Sequence, residues 1–415
     1  MKSSGAIKPT TKSKRIDLLD VYRGFAILGI FVVNSVIMNS TFLNQDEFAK
    51  QWTSGIDQFA ERILQLFFYT KFFPIFSLLF GLGISMQALK MKEKGSLRFS
   101  FFARRMFILF LIGACHIVFL WSGDVLNLYA ILGLMVTLFL KRSNKLILSL
   151  SVFFLLFPFY DDIFFFLFEQ LKFDPGSYLS GLDGASVHHI ISEGSYFDGL
   201  QLRLKEYMAN IPMLFGFLGP IALSMFLLGL YIGKNRIYNS LDFFIKRISI
   251  PMILIAIATN SYRILFLFYL PETGIYASEL FRPYLKKVMV VSDVMMGLFY
   301  LWFLGWLWYN TKARYLLKPL RHVGRMALSN YIMQSGIGLF LFSSVGFSFY
   351  EGFSPWQTLS IAFAVFALQV LFSKLWLTYF RFGPLEWLWR CLTYRKLFRI
   401  SKPKTESLPK VGYSE

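Results

Sequence analysis

Residues 62–89, RILQLFFYTKFFPIFSLLFGLGISMQAL, hold only two charges, Arg62 at the edge and Lys71 inside. About twenty apolar residues in a helix cross a hydrocarbon layer about 30 Å thick, so a run this long predicts a chain solvated by lipid. It is longer than a simple crossing needs. Pro74 stands near its middle, where a missing N–H and a ring that clashes with the preceding turn predict a kink or break.

Reading outward for similar runs gives ten predicted spans: 19–39, 62–89, 105–121, 125–140, 146–168, 211–233, 249–270, 288–309, 327–347 and 357–380. The expected fold is therefore an all-α, polytopic membrane protein of about ten transmembrane helices. It divides into a basic arm at 1–18, one helical domain at 19–400 and a disordered tail at 401–415. Lys and Arg cluster in segments 1–23, 90–105, 141–145, 234–247, 310–325 and 381–415, which an even count of spans puts on one side. The positive-inside rule makes that side, and both termini, cytoplasmic. The first apolar run has no cleavage site after it and reads as a retained helix.

Composition agrees. The chain of 415 residues is 56% apolar and 16% charged, against about 25% charged in soluble domains, which excludes a cytosolic or secreted enzyme. Its net charge of +19 sits in loops that punctuate apolar runs, so the basic excess marks topology and nucleic acid is not an expected partner. Cys115 and Cys391 fall at different membrane levels, which rules out a disulfide framework. His116, His188, His189 and His322 show no metal-ligand spacing, and no metal is expected.

Polar side chains inside spans cost about 2.5–3.5 kcal/mol each if charged, and each needs a reason. On the first helix Asp17, Asp20 and Arg23 stand at the start, followed by Gly24 and, about 16 Å further on, Asn34. The aspartates read first as an acidic helix start. Arg23 beside a glycine leaves room for an anion, while Asn34 is either catalytic or glue between helices. Lys71 lies among Phe67, Phe68, Phe72 and Phe73 and must find a carboxylate, hold an anionic ligand, lose its proton or snorkel. Ser77, Gly81 and Ser85 form a stripe for close helix packing. His116 and Asp124 flank a tight hairpin and can meet as a general-base pair; the alternative is a helix-capping Asp124 and a structurally bonded His116. Arg325, Ser329, Asn330 and Gln334 follow near the end of the chain; the last two, four apart, share one helix face, and polar glue between helices is the default reading. Asn260, Arg263, Asp293, Gln369 and Lys374 complete the set, with Arg263 and Asp293 placed to form an ion pair.

Five ordered segments, RIDLLDVYRGFAILGIFVVN, KFFPIFSLLFGLG, GDVLNLYA, GRMALSNYIMQS and RFGPLEWLWRCLTY, closely resemble the pattern of the YeiB family of bacterial inner-membrane proteins (domain of unknown function 418). The resemblance spans nearly the whole chain and implies that 236–395 is the family's C-terminal region and that the chain lies in the bacterial plasma membrane. More distantly, the chain is similar to the heparan-alpha-glucosaminide N-acetyltransferases, which share the Asp, Arg-Gly and Asn succession of Asp20, Arg23, Gly24 and Asn34. Their catalytic histidine follows the asparagine in the next loop, whereas residues 35–60 here contain none. Either His116 supplies the base from another helix, or acyl transfer is not the activity.

The expectation is a transmembrane acyltransferase. Arg23, Gly24, Arg104, Arg105 and Arg325 would hold cytoplasmic acyl-CoA as co-substrate, while His116, Asp124 and Asn34 would be catalytic. Lys71, Ser329, Asn330 and Gln334 would contact an unidentified acceptor. The alternatives are a transporter or efflux protein using Lys71, His116, Asp293 and Lys374 as a pathway, and a lipid- or isoprenoid-binding protein. Membrane lipids are expected partners, and the short tails leave room for a homodimer.

Overall fold

The computed structural model describes residues 16–41 and 43–403, without the side chain of Asp46. The basic arm predicted at 1–18 lies outside the described residues up to Lys14 and Arg15, and the tail predicted at 401–415 lies outside them from Lys404 on. Ser401 and Lys402 pair back onto Phe380 and Tyr379.

The described chain is helical throughout, with no β-strand among the described residues. The first half comprises α1 (Asp17–Asn39), α2 (Gln45–Gln51), α3 (Gly55–Ile63), α4 (Phe72–Glu93), α5 (Phe99–Phe119), α6 (Leu126–Thr137), α7 (Asn144–Leu156), α8 (Tyr160–Gln170), α9 (Gly184–Ser192) and α10 (Tyr196–Ala209). The second comprises α11 (Gly219–Lys234), α12 (Leu241–Arg247), α13 (Ser249–Phe268), α14 (Gly274–Ala277), α15 (Arg282–Asn310), α16 (Arg314–Leu317), α17 (Leu320–Arg325), α18 (Ala327–Phe342), α19 (Pro355–Tyr379) and α20 (Pro384–Tyr394). The end of the bundle that holds the start of α1 is the near end, and the opposite end is the far end.

Among the described residues, seven helical stretches are long and apolar enough to cross a membrane: Asp17–Asn39, Gly55–Glu93, Phe99–Phe119, Met213–Lys234, Ser249–Phe268, Arg282–Asn310 and Pro355–Tyr379. An eighth counts if α7 and α8, bent by 83°, act as one span. Each of the ten predicted runs is helical, yet three fall short as continuous spans. Twelve-residue α6 reaches only about 18 Å, and sixteen-residue α18 about 24 Å. The run 146–168 breaks because Pro158 forces Phe157 into extended backbone (ψ 125°). An apolar run counts lipid-compatible residues, whereas a span also needs uninterrupted helix.

The long segment 62–89 breaks as expected, but upstream of its proline. A π-helical turn at Leu64–Phe68 is followed by Thr70 in the left-handed region (φ 64°). Pro74 then occupies the first turn of α4, where its missing N–H is no loss. Its ring would collide with the carbonyl of residue 70 in a continuous helix, so the chain turns at Thr70.

Small residues set the helix crossings. A Cβ on Gly81 would strike Phe226 O, and one on Gly229 would strike Leu78 O, so α4 and α11 touch backbone to backbone. Ser77 and Ser85 of the same stripe bond Tyr129 Oη (2.7 Å) and Leu230 O (3.2 Å). Around this axis Phe80, Tyr129 and Phe226 pack ring to ring with centroids 5.0–5.4 Å apart. Helix α13 buries only Ala256 and Arg263 and turns its other side outward, as a helix facing lipid does.

Candidate functional site

Three polar constellations lie inside the bundle. The first is the hairpin between α5 and α6. Helix α5 ends where Leu120 N and Trp121 N both return to His116 O (2.9 and 3.0 Å). The chain then reverses so that Asp124 Oδ2 accepts from Leu126 N (2.9 Å) and Asn127 N (3.2 Å) at the start of α6. Gly113, one turn before His116, admits this approach, since a Cβ there would lie 2.9 Å from Asp124 Oδ2 and collide with Asn127 Oδ1. With one oxygen held by backbone, the other meets His116 Nδ1 at 2.8 Å, both side chains wholly buried. A carboxylate at Nδ1 fixes the proton there and leaves the lone pair on Nε2. That nitrogen is buried and has no hydrogen-bond partner among the described residues. Asp124 thus caps α6 and meets His116 in one geometry.

Above the hairpin, at the far end, a cleft of about 80 Å³ opens between α1, the α5 terminus, α10 and α18. Ile37 and Met38, Leu120, and Ser335 line it from three of these helices. One turn deeper on each, about 5 Å, lie Asn34, His116 and Tyr331. The Tyr331 ring stands 5.2 Å from the His116 imidazole. Asn34 is partly exposed and points from the same face of α1 as Ile37 and Met38.

Glu206 and Arg203 of α10 line the same cleft, and both escaped the sequence reading, which left them in the connection between the predicted spans 146–168 and 211–233. The signal was legible: Ser195 and Asp198 form a capping box that starts α10. Glu206 accepts from Ser122 Oγ (2.6 Å), which ties α10 to the hairpin turn. The protein packed around Glu206 raises its carboxyl above the usual range, an effect partly offset by Ser122 and Arg203.

The second constellation closes at mid-depth. Gly29 of α1 makes room for the Phe72 ring, which puts neighbouring Lys71 about 18 Å along α1. Lys71 Nζ donates to Tyr69 O (2.9 Å) and Gln65 O (3.4 Å) and pairs with Asp293 Oδ1 (3.3 Å). Arg263 also pairs with Asp293 and donates to Gln65 O, while Thr70 Oγ1 donates to Asp293 Oδ2. The break in 62–89 thus frees the carbonyls that two buried cations need. The Arg263–Asp293 pair is as the sequence led us to expect. Lys71 differs from its expected role in contacting substrate, because a carboxylate and two carbonyls already take its three donors.

The third lies at the near end. Glu386 of α20 accepts from Leu328 N (2.7 Å), Ser329 N (3.1 Å) and Ser329 Oγ (2.5 Å), capping α18. Asn330 bonds Ser373 Oγ (3.0 Å), and Gln334 bonds Gln369 Oε1 (2.8 Å). Ser329, Asn330 and Gln334, expected as glue between helices or as substrate contacts, join α18 to α19 and α20. Gly24 is corrected: Leu320 O of α17 fills the space at its missing Cβ, which leaves no room for a phosphate. Arg23 pairs with Asp20 at 2.9 Å. Arg104 donates to Thr393 O (2.6 Å), Arg105 stacks on Trp389 (3.7 Å to the ring centroid), and Arg325 reaches Arg381 O (3.5 Å), so these three gather around α20. Lys374 is exposed on α19, and Asn260 bonds Ala256 O (2.7 Å) within its own helix.

Comparison with known proteins gives relatives over nearly the full length. The chain is 31% identical to the uncharacterized protein YxaH of Bacillus subtilis (strain 168), covering 96% of this chain and 98% of that one. It is 29% identical to an uncharacterized 39.9 kDa protein in the amylase 3' region of Bacillus acidopullulyticus, covering 94% and 97%. With the uncharacterized protein YeiB of Escherichia coli (strain K12) it shares 28% identity over 91% and 96% of the two chains. No solved structure matches. The sequence model described as protein of unknown function (DUF418) matches residues 232–396. With these relatives and this multi-pass helical fold, the chain belongs to the YeiB-like DUF418 family of membrane proteins.

Proposed function

We propose that the protein transfers an acyl group from acyl-CoA, bound at the near end, to an amine or hydroxyl presented in the far-end cleft. The observation that carries this reading is the buried His116–Asp124 pair, whose Nε2 has no hydrogen-bond partner among the described residues and lies one turn beneath the cleft. The acceptor's nitrogen or oxygen attacks the thioester carbonyl carbon while His116 Nε2 takes its proton, and Asp124 steadies the imidazolium. The C–S bond then breaks, and the thiolate of CoA leaves with that proton. Asn34 donates to the carbonyl oxygen as negative charge builds on it. Arg105 precedes His116 by the same eleven residues that separate Arg23 from Asn34, about 16 Å of helix, a distance for the pantetheine arm to span. Arg104 and Arg325 would meet the CoA phosphates beside them.

The proposed setting is the bacterial plasma membrane with both termini cytoplasmic. Fusions of a reporter that is active only in the cytoplasm, placed at each terminus, should be active; an inactive C-terminal fusion would overturn that topology. The activity test uses radiolabelled acetyl-CoA and everted vesicles: His116→Gln should stop label transfer without lowering expression, and transfer that survives would reject the assignment. Saturable flux into liposomes without any acyl donor would favour the carrier reading instead.

A further inference from the structure

Helix α10 brings Arg203 and Glu206, three residues apart and so on one face, to the wall of the far-end cleft. No ion pair closes between them among the described residues. Arg203 Nε donates to Val118 O (3.2 Å), but Nη2 is buried without a hydrogen-bond partner among the described residues. Tyr196 lies beside the guanidinium, 5.1 Å from its ring centroid, yet its hydroxyl donates to Phe119 O (2.8 Å). Gly199 keeps the approach to Nη1 clear, where a Cβ would stand 3.2 Å away. A buried guanidinium donor with no acceptor is costly, and a carboxylate is the group that fits it. Glu206, held on one oxygen by Ser122, keeps a partial opening at the cleft and presents the opposite charge one helical turn away.

The opposite wall is apolar, formed by Ile37, Met38, Leu339 and Phe342, with Ser335 Oγ buried among them and lacking a partner among the described residues. Size decides how large an occupant it takes. A cavity of about 150 Å³ accommodates benzene, so the 80 Å³ here holds about three or four non-hydrogen atoms, enough for a short aliphatic side chain, and the charged end of an occupant stays in the mouth that Arg203 and Glu206 line.

We infer that the cleft binds a small zwitterion, an α-amino acid with an aliphatic side chain of about valine's size, its carboxylate on Arg203 and its ammonium toward Glu206. The ammonium end faces Ser122 and hence the His116–Asp124 hairpin. Only the identification of that amine as the acyl acceptor rests on the function proposed above.

The test is displacement of tritiated L-valine from the full-length protein in phosphatidylcholine nanodiscs. Unlabelled valine should compete about tenfold or more better than valinamide, which lacks the carboxylate, or isovalerate, which lacks the amine, and phenylalanine should compete poorly. Arg203→Gln should erase the advantage of valine over valinamide, and Glu206→Gln its advantage over isovalerate. These crossed losses separate recognition from misfolding. Absence of saturable valine binding, or equal potency of all competitors, overturns the inference. Valine binding without acyl transfer would sink the transferase reading and leave the site standing; transfer without valine binding would do the reverse.

Discussion

The hairpin pair and the mid-depth cluster are both built on one buried aspartate, and they use it in opposite ways. Asp124 receives two backbone N–H groups and one imidazole, and the far nitrogen of that ring is left open beneath a cleft. Asp293 sits between Lys71 and Arg263, whose remaining donors turn mostly to carbonyls freed by the break at Thr70. The first arrangement keeps one reactive atom unfilled. The second joins α4, α13 and α15 through ion pairs and leaves over Arg263 Nε, a donor without a hydrogen-bond partner among the described residues. Burial and charge alone do not distinguish a site from a staple; the distinction is whether the atom left over carries a lone pair that can take a proton or is only a spare donor.

The largest expected effect tests the open member. His116→Gln should lower acyl transfer by about 10²- to 10⁴-fold, the usual worth of a general base, while the unfolding transition in detergent stays close to that of the unaltered protein. A stability loss as large as the activity loss would make His116 a staple too. For the closed member the pattern should invert. Asp293→Asn leaves two buried cations without their counter-charge and should cost about 3–5 kcal/mol of stability, read as a lower unfolding temperature and reduced yield. Lys71→Met, which retains the neutral Arg263–Asp293 pair, should cost far less; equal losses would show that Lys71 is indispensable to the staple.

A smaller effect probes how the pair is held. Gly113→Ala pushes a methyl group toward Asp124 and Asn127, and a carboxylate displaced by a fraction of an ångström should slow transfer about 10- to 100-fold, with an overpacking cost of about 1–3 kcal/mol in stability. The smallest effect concerns the cleft. Glu206 titrates above the ordinary carboxyl range of about 4.3 because it is desolvated, so folding holds its proton more tightly than the unfolded chain does. Stability should therefore rise as pH falls through the raised value and level off below the ordinary one. Glu206→Gln should reduce that slope, with Glu386, whose carboxyl is likewise raised by burial, supplying part of the remainder; thermal unfolding at stepped pH checks this, and an unchanged slope assigns it wholly to other carboxylates.

The lipid-facing architecture was legible because lipid is a uniform solvent: every residue in a span is tested against hydrocarbon, so length and apolarity suffice. The helix break caused by Pro74 was legible in kind and displaced in position, since the clash falls on residue 70 rather than on the proline. The meeting of His116 with Asp124 was also accessible, being local to one hairpin. Lys71 was not, because its carboxylate lies on α15, and an apolar neighbourhood cannot reveal which distant helix will pack there. Arg203 and Glu206 were overlooked because a polar amphipathic helix at a membrane surface has the composition of a loop.

By itself the sequence determined that the chain lies in a bilayer, that the long run 62–89 must break, and which polar side chains require a partner, because those follow from solvation and covalent geometry. Tertiary structure alone decided which partners they found and which atom, His116 Nε2, was left open. Hydrogen-bond satisfaction depends on positions in three dimensions, and helices far apart in the chain supply them.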